Sequence, residues 1–280
     1  MATAFSPCSI TGLFRIHENG SSGASIVLGE GVTTTVEKLA NKEANSIIKI
    51  NGNAALDAPT SRKVLEKFSA EKGYSVSHET KVPIGFGLGT SGAGALSLAL
   101  ALNAESGDGL TFSDCLRFAA ESEIEAGTGL GTVYAEAAGG LVFRKSPGEF
   151  LELDKIDISE SYSIVCGFLE PIPTAKIIRD EGWKKKINSA GEKYLGSFLK
   201  ETSIENFMAN SRKFAFETGL PDEKIKSILE KEKDASMAML GKTVFTITKE
   251  DPRKIAERYG KFSKSVLIAK PSNIGASVIP

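Results

Sequence analysis

The sequence predicts a two-part α+β protein, on three grounds. Extended segments come first, over residues 10–50. An almost wholly apolar stretch, Ala93 to Leu102, then marks a helix buried on most of its surface. Beyond about residue 155, helices and strands alternate in a smaller second layer. At 280 residues the chain is long enough for two ordinary domains, here divided as 1–155 and 156–280.

Taken in order, Ile10 to Ile16 and Ala24 to Val36 read as strands, the second rich in β-branched residues, with ENGSSG as the turn between them. Ser46 to Ile50 is a further short strand. Pro59 opens a helix that runs to Lys72, with Val64, Leu65 and Phe68 on one face and Gly73 as its stop. Tyr74 to Val82 alternates and reads as a strand. After the apolar helix, a second helix runs from Ser113, an N-cap residue type, to Glu125, with Leu116, Ala120 and Ile124 at four-residue spacing. Val133 to Ala138 reads as a short helical turn, Leu141 to Phe143 as a strand and SPGE, Ser146 to Glu149, as a turn. In the second layer, Ser163 to Leu169 is a strand, followed by helices from Glu181 to Leu199 and on to about Lys231. A strand Thr243 to Thr248, a helix Pro252 to Tyr259 and a strand Ser265 to Ala269 complete it.

Composition narrows the function. Thirty-four Lys and Arg against 35 Asp and Glu leave a net charge of −1, so no global field points to nucleic acid or an anionic membrane. Cys8, Cys115 and Cys166 are odd in number and scattered, which suggests neither a disulfide framework nor a zinc site. Ser6, Pro7, Ser9 and Thr11 interrupt any signal-like run, and the longest apolar segment falls short of the ~20 residues a membrane span needs. The expectation is a soluble, cytoplasmic protein that meets any anionic ligand with local groups.

The stretch GFGLGTSGAG, Gly85 to Gly94, carries the chemistry. Gly87-Leu88-Gly89-Thr90-Ser91-Gly92 satisfies the dinucleotide pattern G-x-G-x-x-G, but its context does not. The approach HETKVPI is polar and broken by Pro83, and Glu105, about where a ribose acceptor would be sought, ends a helix. No Gly-Lys-Ser or Gly-Lys-Thr follows, so a Walker loop fails too. What remains is a loop of small residues leading into a helix N-terminus, whose unpaired N–H groups and positive dipole end suit a polyphosphate.

Pro83 with Gly87 to Ala93 resembles the second motif of the galactokinase, homoserine kinase, mevalonate kinase and phosphomevalonate kinase (GHMP) superfamily. Phe5 to Ile10 echoes its first motif, and Ala238 to Phe245, with Gly241, Lys242 and Thr243, its third. The similarity spans the chain. Within the superfamily, SITGLF (Ser9 to Phe14), GSSGAS (Gly20 to Ser25), GLGTVYAEAAGGLVFR (Gly129 to Arg144) and AMLGKTVF look most like the pantoate kinases of archaea, which act on the way to coenzyme A.

This resemblance implies an N-terminal ribosomal-protein-like β-α domain and a C-terminal ferredoxin-like α+β domain. ATP would lie between them, over Pro83, Gly85, Gly87, Leu88, Gly89, Thr90, Ser91, Gly92 and Ala93, with Mg²⁺ as cofactor. By the family's pattern, Ser91 places its hydroxyl on the metal and Glu121 supplies the carboxylate, with Glu123 and Glu125 as the alternatives. The lysine that many relatives carry in the first motif falls on Ser9, and their aspartate after the glycine turn falls on Thr132, which could hydrogen-bond the acceptor hydroxyl. An acid substrate calls for planar, two-pronged donors, for which Arg15 and Arg144 are the candidates, with His17 beside them. Two other readings stay open: a sister kinase acting on homoserine, shikimate or mevalonate, and a nucleotide-binding regulator without turnover. A homodimer is also left open.

Overall fold

The computed structural model describes residues 1–147, 153–172 and 174–280, so the expected turn Ser146 to Glu149 lies partly outside the described residues. A long hairpin, β1 (Ala2–His17) and β2 (Gly20–Lys38), forms the spine of the first sheet, with Glu18 and Asn19 at its tip. The strand β2 changes partner along its length. Its first part pairs with β6 (Leu141–Arg144) and its last part with β5 (Tyr74–Thr80). β3 (Ile47–Ile50) runs parallel to β5 and pairs with β4 (Asn53–Ala54), and β7 (Leu153–Ile156) pairs with β6.

Pro7 cannot donate a ladder hydrogen bond, and the β1–β2 register shifts between Pro7 and Ser9. The Ser9 N–H is thereby turned to the carbonyl of Leu88 at 3.1 Å, which ties the glycine loop to the sheet.

α2 (Thr90–Ser106) packs on β1 and β2 and is covered by α1 (Pro59–Lys67), α3 (Phe112–Ala126) and α4 (Val133–Ala138). Its residues Gly92 to Leu102 are all buried. Four buried leucines, at roughly 2–3 kcal/mol each, outweigh the roughly 1 kcal/mol that a helical glycine costs at Gly92 or Gly94, so the helix forms despite its weak start.

The second sheet is antiparallel, in the order β11 (Ser265–Ala269), β8 (Ser163–Glu170), β10 (Lys242–Thr248), β9 (Ser236–Met237). α6 (Glu181–Phe198) and α7 (Ile204–Thr218) lie against β1, and α7 also contacts β9 and β10. A run of rings joins the sheets through these helices: Phe143 to Phe198 at 5.5 Å, Phe198 to Phe207 at 6.1 Å and Phe207 to Phe245 at 6.5 Å. α5 (Thr174–Ile178), α8 (Glu223–Lys231) and α9 (Pro252–Gly260) complete this layer, and β12 (Ser277–Ile279) returns to the first sheet beside β1. The fold is therefore two-sheet α+β, as expected. All three cysteines are buried and free. Among the described residues no helix is long and apolar enough to cross a membrane.

Several boundaries differ from the sequence reading. α3 is capped by Thr111, not Ser113, because Asp114 at the third helical position completes a reciprocal capping box with Thr111. α1 ends at Lys67 rather than Lys72, and Ser69 just beyond it takes a positive φ of 49°. β4, β7, α5, β9 and β12 were not anticipated.

One polar cluster sits inside the first layer. His78 of β5 is within 2.7 Å of Thr34 Oγ1 through Nδ1 and 3.1 Å of Ser61 Oγ through Nε2, and Thr34 reaches Ser97 at 2.6 Å. Burial pushes the His78 pKa down to about 4. The folded protein thus holds a neutral ring, while the unfolded chain protonates it near 6.5. The resulting stability is whole above that value and is lost as pH falls towards 4. The stability difference between wild type and His78→Gln, measured by urea unfolding, is expected to shrink by up to about 3 kcal/mol from pH 7 to pH 4. A pH-independent difference would refute it.

Candidate functional site

A cleft of about 450 Å³ opens over the start of α2, lined by Gly85, Gly87, Gly89, Thr90 and Ser91 on one side and by Glu123, Thr128 and Thr132 on another. Leu88, Gly92 and Ala93 are buried behind this surface, and Pro83 is half-buried at the loop entry. Gly89 occupies the helix N-cap at φ 70°, and no side chain caps the helix there. The first-turn N–H groups therefore have no capping side chain.

The loop is braced from three places. Besides the Ser9 N–H, Thr243 Oγ1 donates to the Phe86 carbonyl at 2.7 Å, and Gly241 lies so close that a Cβ on Gly87 would stand 2.8 Å from its nitrogen. The Ala238 to Phe245 segment therefore supports the glycine loop. Lys242 Nζ is taken up by Glu170 at 2.7 Å and Asp222 at 2.9 Å, so it is not free to reach an anion in the cleft.

Ser91 Oγ lies 2.9 Å from both Thr60 Oγ1 and Thr128 Oγ1, which are 2.8 Å apart, forming a ring of hydroxyls at the helix tip. Behind the loop stand two interior acids. Glu123 of α3 is 1% exposed and Glu136 of α4 is 0% exposed. Ser9 Oγ donates to Glu136 Oε1 at 3.1 Å, while the Oε2 atoms of both acids have no hydrogen-bond partner. A Cβ placed on Gly92 would meet Glu136 Oε2 at 2.7 Å and Glu123 Oε2 at 3.0 Å, and one on Gly89 or Gly129 would also strike these carboxylates. Burial pushes both carboxyls up. For Glu136 the neighbouring Glu123 charge adds to the effect, and for Glu123 a hydrogen bond from the Val133 backbone works against it.

Glu121 stands elsewhere. It is 42% exposed and paired with Lys67 at 2.9 Å and Arg117 at 3.5 Å, while Glu125 also meets Lys67, at 2.8 Å. Two residues of helix turn the side chain by about 200°, so Glu121 and Glu123 face opposite ways. The acid that α3 brings to the loop is Glu123.

At the far end, Thr132 lines both the cleft and a small adjoining cavity that contains Arg144. Arg144 is 7% exposed. Its Nη2 reaches Ser21 Oγ at 3.4 Å and the Gly131 carbonyl at 3.3 Å, and its guanidinium lies 4.5 Å over the Tyr134 ring. Among the described residues no ion pair engages it, and burial lowers its pKa. His17 Nε2 is 2.9 Å from Ser22 Oγ, and its pKa is lowered by burial and then by the charges of Arg15 and Arg144. Arg15 Nε is buried without a partner. Pairing of Arg15 with Ser22 and of Gly23 with Arg144 brings these residues to one end of the sheet. Thr60, Thr128 and Glu136 were not anticipated from the sequence.

A family model described as GHMP kinases N terminal domain matches residues 53–140. A pantoate kinase of Methanocaldococcus jannaschii is 38% identical over 259 residues, covering 88% of this chain and 93% of that protein. A pantoate kinase of Methanospirillum hungatei is 32% identical over 278 residues, covering 94% and 92%. Among solved structures, a phosphotransferase related to the CoA biosynthesis pathway superposes with a TM-score of 0.84 at 29% identity, covering 99% of this chain and 98% of that one. A mevalonate kinase, at 15% identity and a TM-score of 0.71 over 98% and 99% of the two chains, shares the fold. With its glycine loop, its two-sheet fold and relatives matched over most of both chains, this chain belongs to the GHMP kinase family.

Proposed function

We propose that the protein transfers the γ-phosphoryl group of ATP to the primary hydroxyl of pantoate, giving 4-phosphopantoate and ADP. One observation carries the reading: an uncapped helix N-terminus opens on the cleft and a buried guanidinium with no ion-pair partner among the described residues lines the small cavity beside it, with Thr132 lining both. The first end suits phosphates and the second a carboxylate. All of these groups belong to residues 1–155, the proposed N-terminal domain, and 156–280, the proposed C-terminal one, supplies the support at Gly241 and Thr243.

The donor's phosphates would lie over Gly87 to Ser91. Mg²⁺ fits here, since two buried acids present unpartnered oxygens in a cradle kept open by Gly89, Gly92 and Gly129. Ser91 and Glu123, rather than Glu121, would hold it, and when bound it neutralises charge on the phosphate oxygens. Arg144, with Arg15 and His17, would grip the acceptor's carboxylate. Thr132 would orient the hydroxyl, whose proton can leave late in a loose transfer that asks little of a base. Ser9 and Thr132, where many relatives carry ionisable groups, are therefore compatible with turnover.

Purified protein with ATP, Mg²⁺ and a panel of hydroxy acids is expected to phosphorylate pantoate. Transfer only to homoserine, shikimate or mevalonate would assign a sister activity, and ATP binding without transfer would assign a regulator. Arg144→Ala should raise the KM for pantoate by roughly 10- to 100-fold, the worth of a lost charge-assisted hydrogen-bond pair, and leave the KM for ATP within about twofold. Equal effects on both would overturn the assignment. Glu123→Gln should lower kcat by at least about 100-fold while Glu121→Gln stays near wild type, because Glu121 meets only surface cations. The reverse order would return the metal role to Glu121.

A further inference from the structure

We propose that Glu136 is a second carboxylate ligand of the cation held by Ser91 and Glu123; the inference rests on the metal reading above. Glu136 comes from a different helix, yet its Oε2 and that of Glu123 converge on one point beside Gly92, within 2.7 and 3.0 Å of where a Cβ would stand. Both oxygens are buried and neither has a hydrogen-bond partner. A purely structural role for Glu136 would be met by its Oε1, which accepts from Ser9, and a glutamine would serve that bond at far lower desolvation cost. Two acids side by side in the interior are costly unless a proton or a cation lies between them. Two carboxylates and one hydroxyl suit Mg²⁺, which takes phosphate oxygens and waters for its remaining positions.

Ser9 and Thr132 give the site its shape. Ser9 Oγ and Thr132 Cγ2 lie 3.2 and 3.0 Å from the point where a Cβ on Gly89 would stand, and Glu136 Oε1 contacts that same point. With a short hydroxyl residue at each of these two positions, the carboxylate reaches the loop from one helical turn further along α4.

The test is Mn²⁺ binding, followed by electron paramagnetic resonance in the presence of a non-hydrolysable ATP analogue, on wild type, Glu136→Gln and Glu123→Gln. Glu136→Gln is expected to weaken Mn²⁺ at least tenfold and to raise the Mg²⁺ concentration for half-maximal activity in proportion. Analogue binding without metal should change less than about twofold. Should Glu136→Gln fail to fold, Glu136→Asp, which withdraws the carboxylate by one methylene, is expected to show the same loss. Wild-type Mn²⁺ affinity in the Glu136 variant with weakened affinity in Glu123→Gln would overturn this proposal alone. Wild-type affinity in both would overturn the metal reading with it.

Discussion

A helix that is apolar on every side has only its ends left to meet a ligand, and α2 is such a helix. Enclosed by β1 and β2 below and by α1, α3 and α4 around it, it buries every residue from Gly92 to Leu102. Its dipole and unpaired first-turn donors can act only at Gly89 to Ser91, where the cleft opens. The rest of the architecture fixes that tip in place. The irregularity at Pro7 frees the Ser9 N–H for Leu88, and Thr243 Oγ1 donates to the Phe86 carbonyl from the other layer. A site assembled from both layers needs their separation held to a fraction of an ångström. The ring series from Phe143 to Phe245, buried between the sheets, adds close packing to the hydrogen bonds that cross the layers, such as Met239 N–H to the Thr11 carbonyl at 3.0 Å.

The same enclosure explains why the glycines are needed. A side chain at Gly92 would fill the space in which Glu123 and Glu136 present their free oxygens. Weak helix-forming residues at the start of α2 are tolerated because the leucines further along supply the cohesion, so stability and site geometry are assigned to different parts of one helix. Interior acids are expensive, and the chain keeps two of them where positive charge from a helix end, and in the proposed reading a metal, would meet them.

Much of this was legible in the sequence. The apolar run of α2, the strand segments on either side of ENGSSG and the alternating second layer all follow from periodicity. The resemblance of Gly87 to Ala93 to a phosphate-binding motif located the cleft. The low helix propensity of Thr, Ser and Gly places the expected start of α2 at Ala93, three residues beyond Thr90, where tertiary packing sets it. The choice among the α3 acids turned on helix phase. Leu116, Ala119 and Ala120 are buried and Ile124 is only half-buried, so the inward stripe continues to Glu123, a rotation that a stripe drawn through Ile124 obscured. Glu136 lies on a six-residue helix, too short for periodicity to assign a face, and β12 makes contacts nearly a whole chain length away in sequence.

Charge along the cleft also limits what can be an acceptor. The net charge is nearly zero, so anions must be held by local groups. At the start of α2 these are backbone N–H groups, which suit a spread of anionic oxygens. At the other end the guanidinium of Arg144 is packed against Tyr134 and held by neutral oxygens of Ser21 and Gly131, with no carboxylate paired to it among the described residues. A buried cation left in this state is stabilised by a ligand that brings its own negative charge and loses by accepting a neutral sugar. In the proposed reading, a short hydroxy acid would set its carboxylate on Arg144 and turn its hydroxyl towards the helix tip, meeting both ends at once.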